Sequence, residues 1–72
     1  MRTLNEIVGE QIRKRRKAVG MSQGELAQRL CLSHQTSVSF WETAKCCPNA
    51  IYLCALADVL ECTVDELLGR NV

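Results

Sequence analysis

The chain has little of several things that larger or composite proteins need. It holds one proline, four glycines and three aromatic residues in 72 residues, and its net charge is only +1. A chain of this length is enough for one domain, so we expect residues 1–72 to form a single unit without a second sensing or catalytic domain. The near-neutral charge does not by itself indicate a nucleic-acid partner.

Long apolar runs and clustered reactive side chains are also missing. The longest unbroken apolar run, "AIYLCALA", is too short to cross a bilayer. His34 is the only histidine, and no pair of cysteines has the spacing of a zinc ligand set. No nucleophile–base pair can be assembled. We therefore expect no membrane span, no metal, no cofactor and no small-molecule effector, and we expect that the chain is not an enzyme.

The five cysteines do not indicate a disulfide scaffold. Their number is odd, and no secretory signal precedes them. Cys54 falls within an apolar helical pattern, which predicts a small buried side chain. A reducing cytoplasm is the expected setting.

The sequence does contain clear signals for the starts of helices. Three capping-box patterns, "TLNE", "SQGE" and "TVDE", each precede an amphipathic run. Apolar spacing then predicts an all-α chain with helices at roughly 4–19, 23–30, 34–43, 50–60 and 64–68. In the first helix one face is formed by Leu4, Ile7, Val8, Ile12 and Val19. The fourth helix is apolar on nearly every side, which predicts a central position.

The second and third helices are separated by only a short turn. Ala27 lies where they would cross, and a small side chain there allows the backbones to approach closely. This arrangement is typical of the helix-turn-helix, whose second member enters the DNA major groove. Val38 and Trp41, three residues apart, would attach the third helix to the core. Its hydroxyl and amide side chains would then face outward, where they can bond base edges and phosphates.

The segments "GMSQGELAQRL", "VSFWETAKCCPN" and "LADVLECTVDELL" resemble the XRE family of helix-turn-helix regulators, the group of phage Cro and lambda-type repressor domains. The resemblance covers nearly the whole chain. It implies a compact five-helix lambda-repressor-like DNA-binding domain, encoded by a bacterium or phage. It also implies a cytoplasmic, sequence-specific regulator of double-stranded DNA, a repressor that binds a two-half-site operator as a homodimer through the major groove.

Matching positions to the family pattern predicts the contacts to DNA. Bases or the groove would be contacted by Gln23, His34, Gln35, Thr36, Ser37, Ser39 and Phe40. Phosphates would be contacted by Arg13, Arg16, Lys17, Ser22 and Lys45. Three of these cations belong to "RKRRK", which holds five of the nine basic residues. The resemblance further implies an ion pair between Arg16 and Glu42 that links the first helix to the third.

The sequence departs from the family pattern in the turn. Cys31 stands where a glycine is expected, and the segment from Ser33 to Val38 is one residue longer. We expect the longer turn to spare Cys31 the left-handed conformation, which costs about 1 kcal/mol or more outside glycine. The extra residue leaves open which residue between His34 and Ser37 is looped out. Phe40 either contacts a thymine methyl group, if exposed, or packs inside.

The sequence also bears on the dimer surface and on two alternative functions. Leu67, Leu68 and Val72 are expected to form part of the dimer surface, because such leucines exceed what a five-helix core needs. The near-neutral charge and Phe40 slightly favour an alternative function, a protein-interaction module such as an antitoxin or adaptor of the same fold. A redox-sensing regulator that uses its cysteines is a third hypothesis.

Overall fold

The computed structural model describes residues 2–70 of the chain. Within them lie five α-helices and no β-strand, which confirms the all-α prediction. The helices are α1 (Leu4–Ala18), α2 (Gln23–Arg29), α3 (Thr36–Glu42), α4 (Ala50–Val59) and α5 (Val64–Leu67). Across the same residues, no helix is long and apolar enough to cross a membrane.

Side chains close the starts of four helices. The three predicted capping boxes form at Thr3, Ser22 and Thr63, and Asn49 accepts the amide of Tyr52 at 2.9 Å at the start of α4. In the described part of the chain, no side chain caps α3, which begins after Gln35.

The predicted start of the third helix was therefore wrong by two residues. His34 and Gln35 lie in the turn before α3 rather than in its first helical turn. The residues around them are polar but supply neither a capping box nor an apolar residue at helical spacing. The helix begins only where Val38 and Trp41 can hold it against the core.

Each helix is followed by a residue with positive φ. Glycine fills this position after α1 and α5, whereas Cys31, Ala44 and Glu61 fill it after α2, α3 and α4. The expectation that Cys31 avoids this conformation was wrong, since its φ is +59°. The reason is the hydrogen bonding at the end of α2. The amide of Cys31 donates to the Gln28 carbonyl at 3.0 Å, and the amide of Leu32 donates to the Ala27 carbonyl at 2.9 Å. These bonds end the helix, and they require a left-handed residue.

The core is formed by apolar residues from all five helices and their ends. Val38 and Trp41 are buried, as predicted, and the Trp41 ring packs against Tyr52 with ring centroids 5.5 Å apart. Ala27 is also buried, at the predicted crossing of α2 and α3. The buried apolar residues are Val8, Ile12, Leu26, Ala27, Leu30, Val38, Trp41, Leu56, Ala57, Leu60 and Leu67.

A close approach between α1 and the end of α3 depends on Gly9. A methyl group added at Gly9 would lie 2.3 Å from the carbonyl oxygen of Trp41 and 3.2 Å from that of Glu42. Residue 9 must therefore lack a side chain for α1 to lie against the end of α3.

Several burial predictions for the helices were wrong. Leu4 and Val19, at the two ends of α1, are exposed, because α1 extends beyond the elements that pack on it. Cys54 is exposed and Ile51 is 78% exposed, so α4 is not central and buries only Leu56 and Ala57 within its length. An apolar surface all round a helix does not reveal which side its neighbours cover.

The predicted dimer surface at the C-terminus needs correction. Leu67 is fully buried in the core of the single chain, so it cannot face a partner. Leu68 packs against that core and is half-buried, and Val72 lies outside the described residues. The core needs more of the C-terminal leucines than their number suggested, since the short α5 packs against both α1 and α4.

Candidate nucleic-acid interface

The outward side of α3 is defined by what its inward side buries. Val38 and Trp41 face the core, so Thr36 and Phe40, four residues apart, share the opposite face and are exposed. Phe40 has 42% of its surface accessible. The predicted contact residues Ser37 and Ser39 flank this face and are half-buried.

Lys45 returns to this face from the chain that follows α3. The left-handed residue before it turns the backbone, and the Lys45 amide donates to the Phe40 carbonyl at 2.9 Å. Its ammonium Nζ then lies 5.4 Å from the centre of the Phe40 ring, a cation–π contact. The two predicted contact residues Phe40 and Lys45 are thus adjacent.

The turn before α3 lies against the start of α2. A methyl group built on Gly24 would be 3.4 Å from Oε1 of Gln35, so the Gln35 amide lies over the first turn of α2. His34 is exposed beside it. Ser22 caps α2, where its hydroxyl accepts the Glu25 amide at 3.0 Å, and it is exposed. The predicted residues of the turn and of α2 are therefore neighbours.

A buried carboxylate joins α1, α2 and α3. Arg16 donates from Nε and Nη2 to the two oxygens of Glu42 at 2.7 and 3.1 Å, which confirms the ion pair implied by the sequence. Arg16 is only 8% exposed, and its Nη1 donates to the Met21 carbonyl at 2.8 Å. The hydrogen bonds that the Arg16 guanidinium donates to Glu42 raise the pKa of that guanidinium. Gln23 donates to Glu42 Oε1 at 3.1 Å, so the same carboxylate orients its amide.

The network forms the floor of a shallow groove of about 260 Å³ on the surface. Arg13 and Lys17 are exposed at this groove, one helical turn apart on α1. The lining residues are Arg13, Arg16, Lys17, Gln23, Glu42 and Thr43. Four of them are predicted DNA contacts, and three of those are cationic. Arg16 is mostly engaged within the chain, so Arg13 and Lys17 supply the accessible charge.

Thr43 was missed by the sequence analysis. It follows α3, is exposed at the groove, and donates its hydroxyl to the Ser39 carbonyl at 2.8 Å. The only signal was its place between Glu42 and Lys45, both of which the family pattern includes. Gly9 was missed as well, since a close approach between helices leaves no periodic mark in the sequence.

The remaining reactive side chains do not form a second site. Across residues 2–70, no group of three or more histidine, cysteine or acidic residues could hold a metal ion. The cysteines are unpaired, and four of the five are exposed. Cys47 is exposed, but partial desolvation and the neighbouring Cys46 raise the pKa of its thiol, which disfavours the reactive thiolate.

Fold and site together define a class of protein, one with a central helix-turn-helix and a polar outward face on its second member. The family model described as "Helix-turn-helix" matches residues 12–67. This chain belongs to that helix-turn-helix family, of XRE type, as the sequence predicted. The family consists of transcriptional regulators rather than enzymes, in agreement with the prediction that the chain is not an enzyme.

Individual relatives come from bacteria and phages. The chain is 44% identical over 68 residues to the HTH-type transcriptional regulator DicA of Escherichia coli (strain K12), covering 94% of this chain and 50% of DicA. It is 36% identical over 67 residues to repressor protein C2 of Salmonella phage P22, covering 93% of this chain and 31% of C2. The chain thus spans half or less of the length of these two relatives.

A third relative and a solved structure extend the comparison. The cryptic phage CTXphi transcriptional repressor RstR of Vibrio cholerae is 33% identical over 63 residues, 88% of this chain and 55% of RstR. A crystal structure of the P22 c2 repressor in complex with a synthetic operator superposes with a TM-score of 0.82 at 36% identity. It covers 89% of this chain and 96% of that chain, so the fold is shared over nearly the whole domain.

Proposed function

We propose that this chain is a sequence-specific repressor that binds double-stranded DNA as a homodimer, with α3 in the major groove. The observation that carries the proposal is a meeting of two surfaces. The exposed face of α3 ends at Thr43, which also lines the cationic groove between α1 and α2. The groups that we propose for base contacts and those that we propose for phosphate contacts would therefore lie side by side. The names of the relatives, two of them repressors, support the same function.

Most of the affinity for DNA would come from contacts between cationic side chains and phosphates. Arg13 and Lys17 are exposed at the groove, Lys45 flanks α3, and the caps of α2 leave Ser22 at the surface. Arg16 contributes mainly by holding Glu42, and through it Gln23, in place. With few cations available in each chain, a monomer would bind weakly.

Sequence recognition would come from the face of α3 and the turn before it. His34 and Gln35 are exposed in the turn, and Thr36, Ser37 and Ser39 offer hydroxyls from the helix. An amide such as that of Gln35 pairs well with the edge of adenine, a contact worth about 1 to 3 kcal/mol of discrimination.

Dimerisation would double these contacts. Two copies that bind half-sites one helical turn apart, about 34 Å, each insert one α3 in the major groove. Of the C-terminal residues predicted for the dimer surface, Leu68 remains partly accessible. Moving one half-site by five base pairs would place the second copy on the opposite side of the duplex. We expect that change to remove the gain in affinity from the second half-site.

The experiment is selection of bound sequences from random duplex DNA, followed by salt titration on the selected site. A positive result is a motif with two related half-sites and an affinity that falls steeply with salt. Absence of both a motif and any salt-dependent binding would overturn the proposal.

Two charge variants test which face binds. Arg13→Gln with Lys17→Gln removes two cations from the groove, so the slope of log affinity against log salt should drop by about 2 per chain. Arg29→Gln is the matched control. Arg29 lines a different depression, with Val19 and Asp58, and its loss should leave the slope unchanged.

The second candidate, a protein-interaction module, is favoured by one observation. Ile51 and Cys54 leave an apolar strip of α4 exposed, which a protein partner would cover. Such a module would show no charge-driven binding to random duplex DNA. Any affinity for that DNA would therefore not depend on salt through the cations of the groove. The titration above therefore separates the two functions.

A further inference from the structure

We propose that Phe40 recognises thymine, with its ring packed on the C5-methyl group of one thymine in each half-site. Lys45 would bind the adjacent phosphate while its ammonium stays over the same ring. This inference deepens the proposed function and rests on it, because it requires that α3 enters the major groove. It assigns a specificity-determining role to the least polar residue on the DNA-facing side.

The position of Phe40 carries the proposal. An exposed phenylalanine is costly in water, and this one lies toward the C-terminal end of the otherwise polar outward face of α3. Within the described residues, the other exposed large apolar side chains are Leu4, Val19 and Ile51, which belong to α1, α4 and their ends. Phe40 therefore gives α3 an apolar contact point at the place where base edges would be met.

The backbone that carries Phe40 is also held in place before any DNA arrives. Phe40 is next in sequence to the buried Trp41, and its carbonyl accepts the Lys45 amide. The exposed Lys45 ammonium lies 5.4 Å from the centre of the ring. The close approach at Gly9 fixes this part of α3 against α1. A contact group held in one geometry loses little entropy on binding.

The chemistry of the base edges selects thymine. In the major groove thymine presents a methyl group and an acceptor, whereas cytosine presents an amino donor. A phenyl ring packs on the methyl group but offers no acceptor to the amino group. The amino group would lose its water without a new partner, which is unfavourable.

The test replaces thymine by deoxyuridine, one position at a time, in the selected operator. This change removes only the methyl group and keeps base pairing. We expect one thymine in each half-site at which the replacement weakens binding of the natural chain by about four-fold, the factor for one buried methyl group. Replacements at other thymines should change affinity by less than about two-fold.

Variants then assign the effect to Phe40. Phe40→Ala should bind thymine and deoxyuridine operators equally at that position, and Phe40→Leu should keep part of the preference. Lys45→Met is the matched control: it should weaken binding to every operator and lower the salt slope by about 1 per chain, but leave the thymine preference intact. Because Phe40 is exposed, these variants should melt within a few degrees of the natural chain.

The outcomes separate this inference from the proposed function. If the chain binds its operator but no thymine is sensitive to loss of its methyl group, the inference fails and the function stands. The same holds if Phe40→Ala keeps the thymine preference. If the chain selects no operator at all, both fail together.

Discussion

The two ends of α3 are held in different ways. At its C-terminal end, the carbonyls of Trp41 and Glu42 lie against Gly9 of α1, and the Glu42 carboxylate takes hydrogen bonds from Arg16 and Gln23. At its N-terminal end, no described side chain caps the helix, and the turn before Thr36 is exposed. One end is fixed by buried contacts with two helices, while the other is attached by the backbone and by Val38.

The difference indicates that the two ends of α3 would play different roles in recognition. The C-terminal end keeps Phe40, Lys45 and the groove in a set relation, so contacts made there depend on a fixed geometry. The N-terminal end places His34 and Gln35 on an exposed turn with few restraints, so in the proposed complex with DNA these side chains could adjust to a base. Glu42 and Gly9 belong to the fixed end, and Gly24 lies beside the turn at the free end, so substitutions at these residues compare the two ends.

The largest effect is expected from loss of the carboxylate at the fixed end. Glu42→Gln leaves the buried Arg16 without a counter-ion, and breaking a buried ion pair in this way costs about 3 to 5 kcal/mol. The free energy of unfolding, measured by urea denaturation, should fall by about that amount.

The matched control is Glu10→Gln, which breaks an ion pair with Arg2 on the surface of α1. Exposed pairs contribute about 0 to 1 kcal/mol, so this variant should unfold almost as the natural chain does. Equal losses in the two variants would contradict the proposed role of burial.

A smaller loss is expected at the helix contact itself. Gly9→Ala places a methyl group 2.3 Å from a backbone oxygen, so α1 and α3 must separate. Overpacking of this kind costs about 1 to 3 kcal/mol, and the upper end applies because the nearest atoms belong to the α3 backbone rather than to a flexible side chain. Thermal melting would measure it.

Gly24→Ala is the comparison at the free end. The added methyl group meets Gln35 Oε1 at 3.4 Å and Ser22 Oγ at 3.8 Å, both ordinary contacts with side-chain atoms. Alanine also favours the helix by about 1 kcal/mol over glycine, so this variant should be as stable as the natural chain or more so. A marked loss would mean that the turn is more tightly packed than the structure indicates.

A gain is expected from glycine at the left-handed residues on either side of α3. Cys31→Gly and Ala44→Gly each relieve a φ near +60°, and each should raise the free energy of unfolding by about 0.5 to 1 kcal/mol. Cys54→Gly, in the exposed interior of α4, should instead lower it slightly. If Cys31→Gly destabilised the chain, the cysteine side chain would have a role beyond the turn.

The smallest expected effect is a dependence of stability on pH. It comes from the capping boxes at the starts of α1 and α5, which have no counterpart at the start of α3. The Thr63 backbone amide and hydroxyl hold the pKa of Glu66 below its ordinary value, and Thr3 does the same for Glu6. Their stabilisation is therefore complete above the unfolded glutamate pKa of about 4.3 and is lost as pH falls toward the lower folded values.

Melting temperatures measured between about pH 5 and pH 3 should show this loss. Glu66→Gln should make the decline shallower, because glutamine does not titrate. If Glu66→Gln loses stability with falling pH as steeply as the natural chain does, the capping box at Thr63 is not the cause of the loss.

The sequence predicted the elements that depend on local signals. Capping boxes at Thr3, Ser22 and Thr63 marked helix starts within a residue, and the spacing of Val38 and Trp41 identified the buried side of α3. The start of α3 was misplaced because no local signal marks it. Cys31 was misjudged because a hydrogen-bonded helix end outweighed the unfavourable φ of a single residue.

By itself, the sequence determined the helices, the family and the Arg16–Glu42 pair, since each follows from neighbours in the chain or from a motif. Only the tertiary structure decided that Leu67 is core rather than surface, that Cys54 and Ile51 are exposed, and that Gly9 sets the contact between α1 and α3. The reason is physical: periodicity states which residues share a side of a helix, but burial depends on what other helices place against that side.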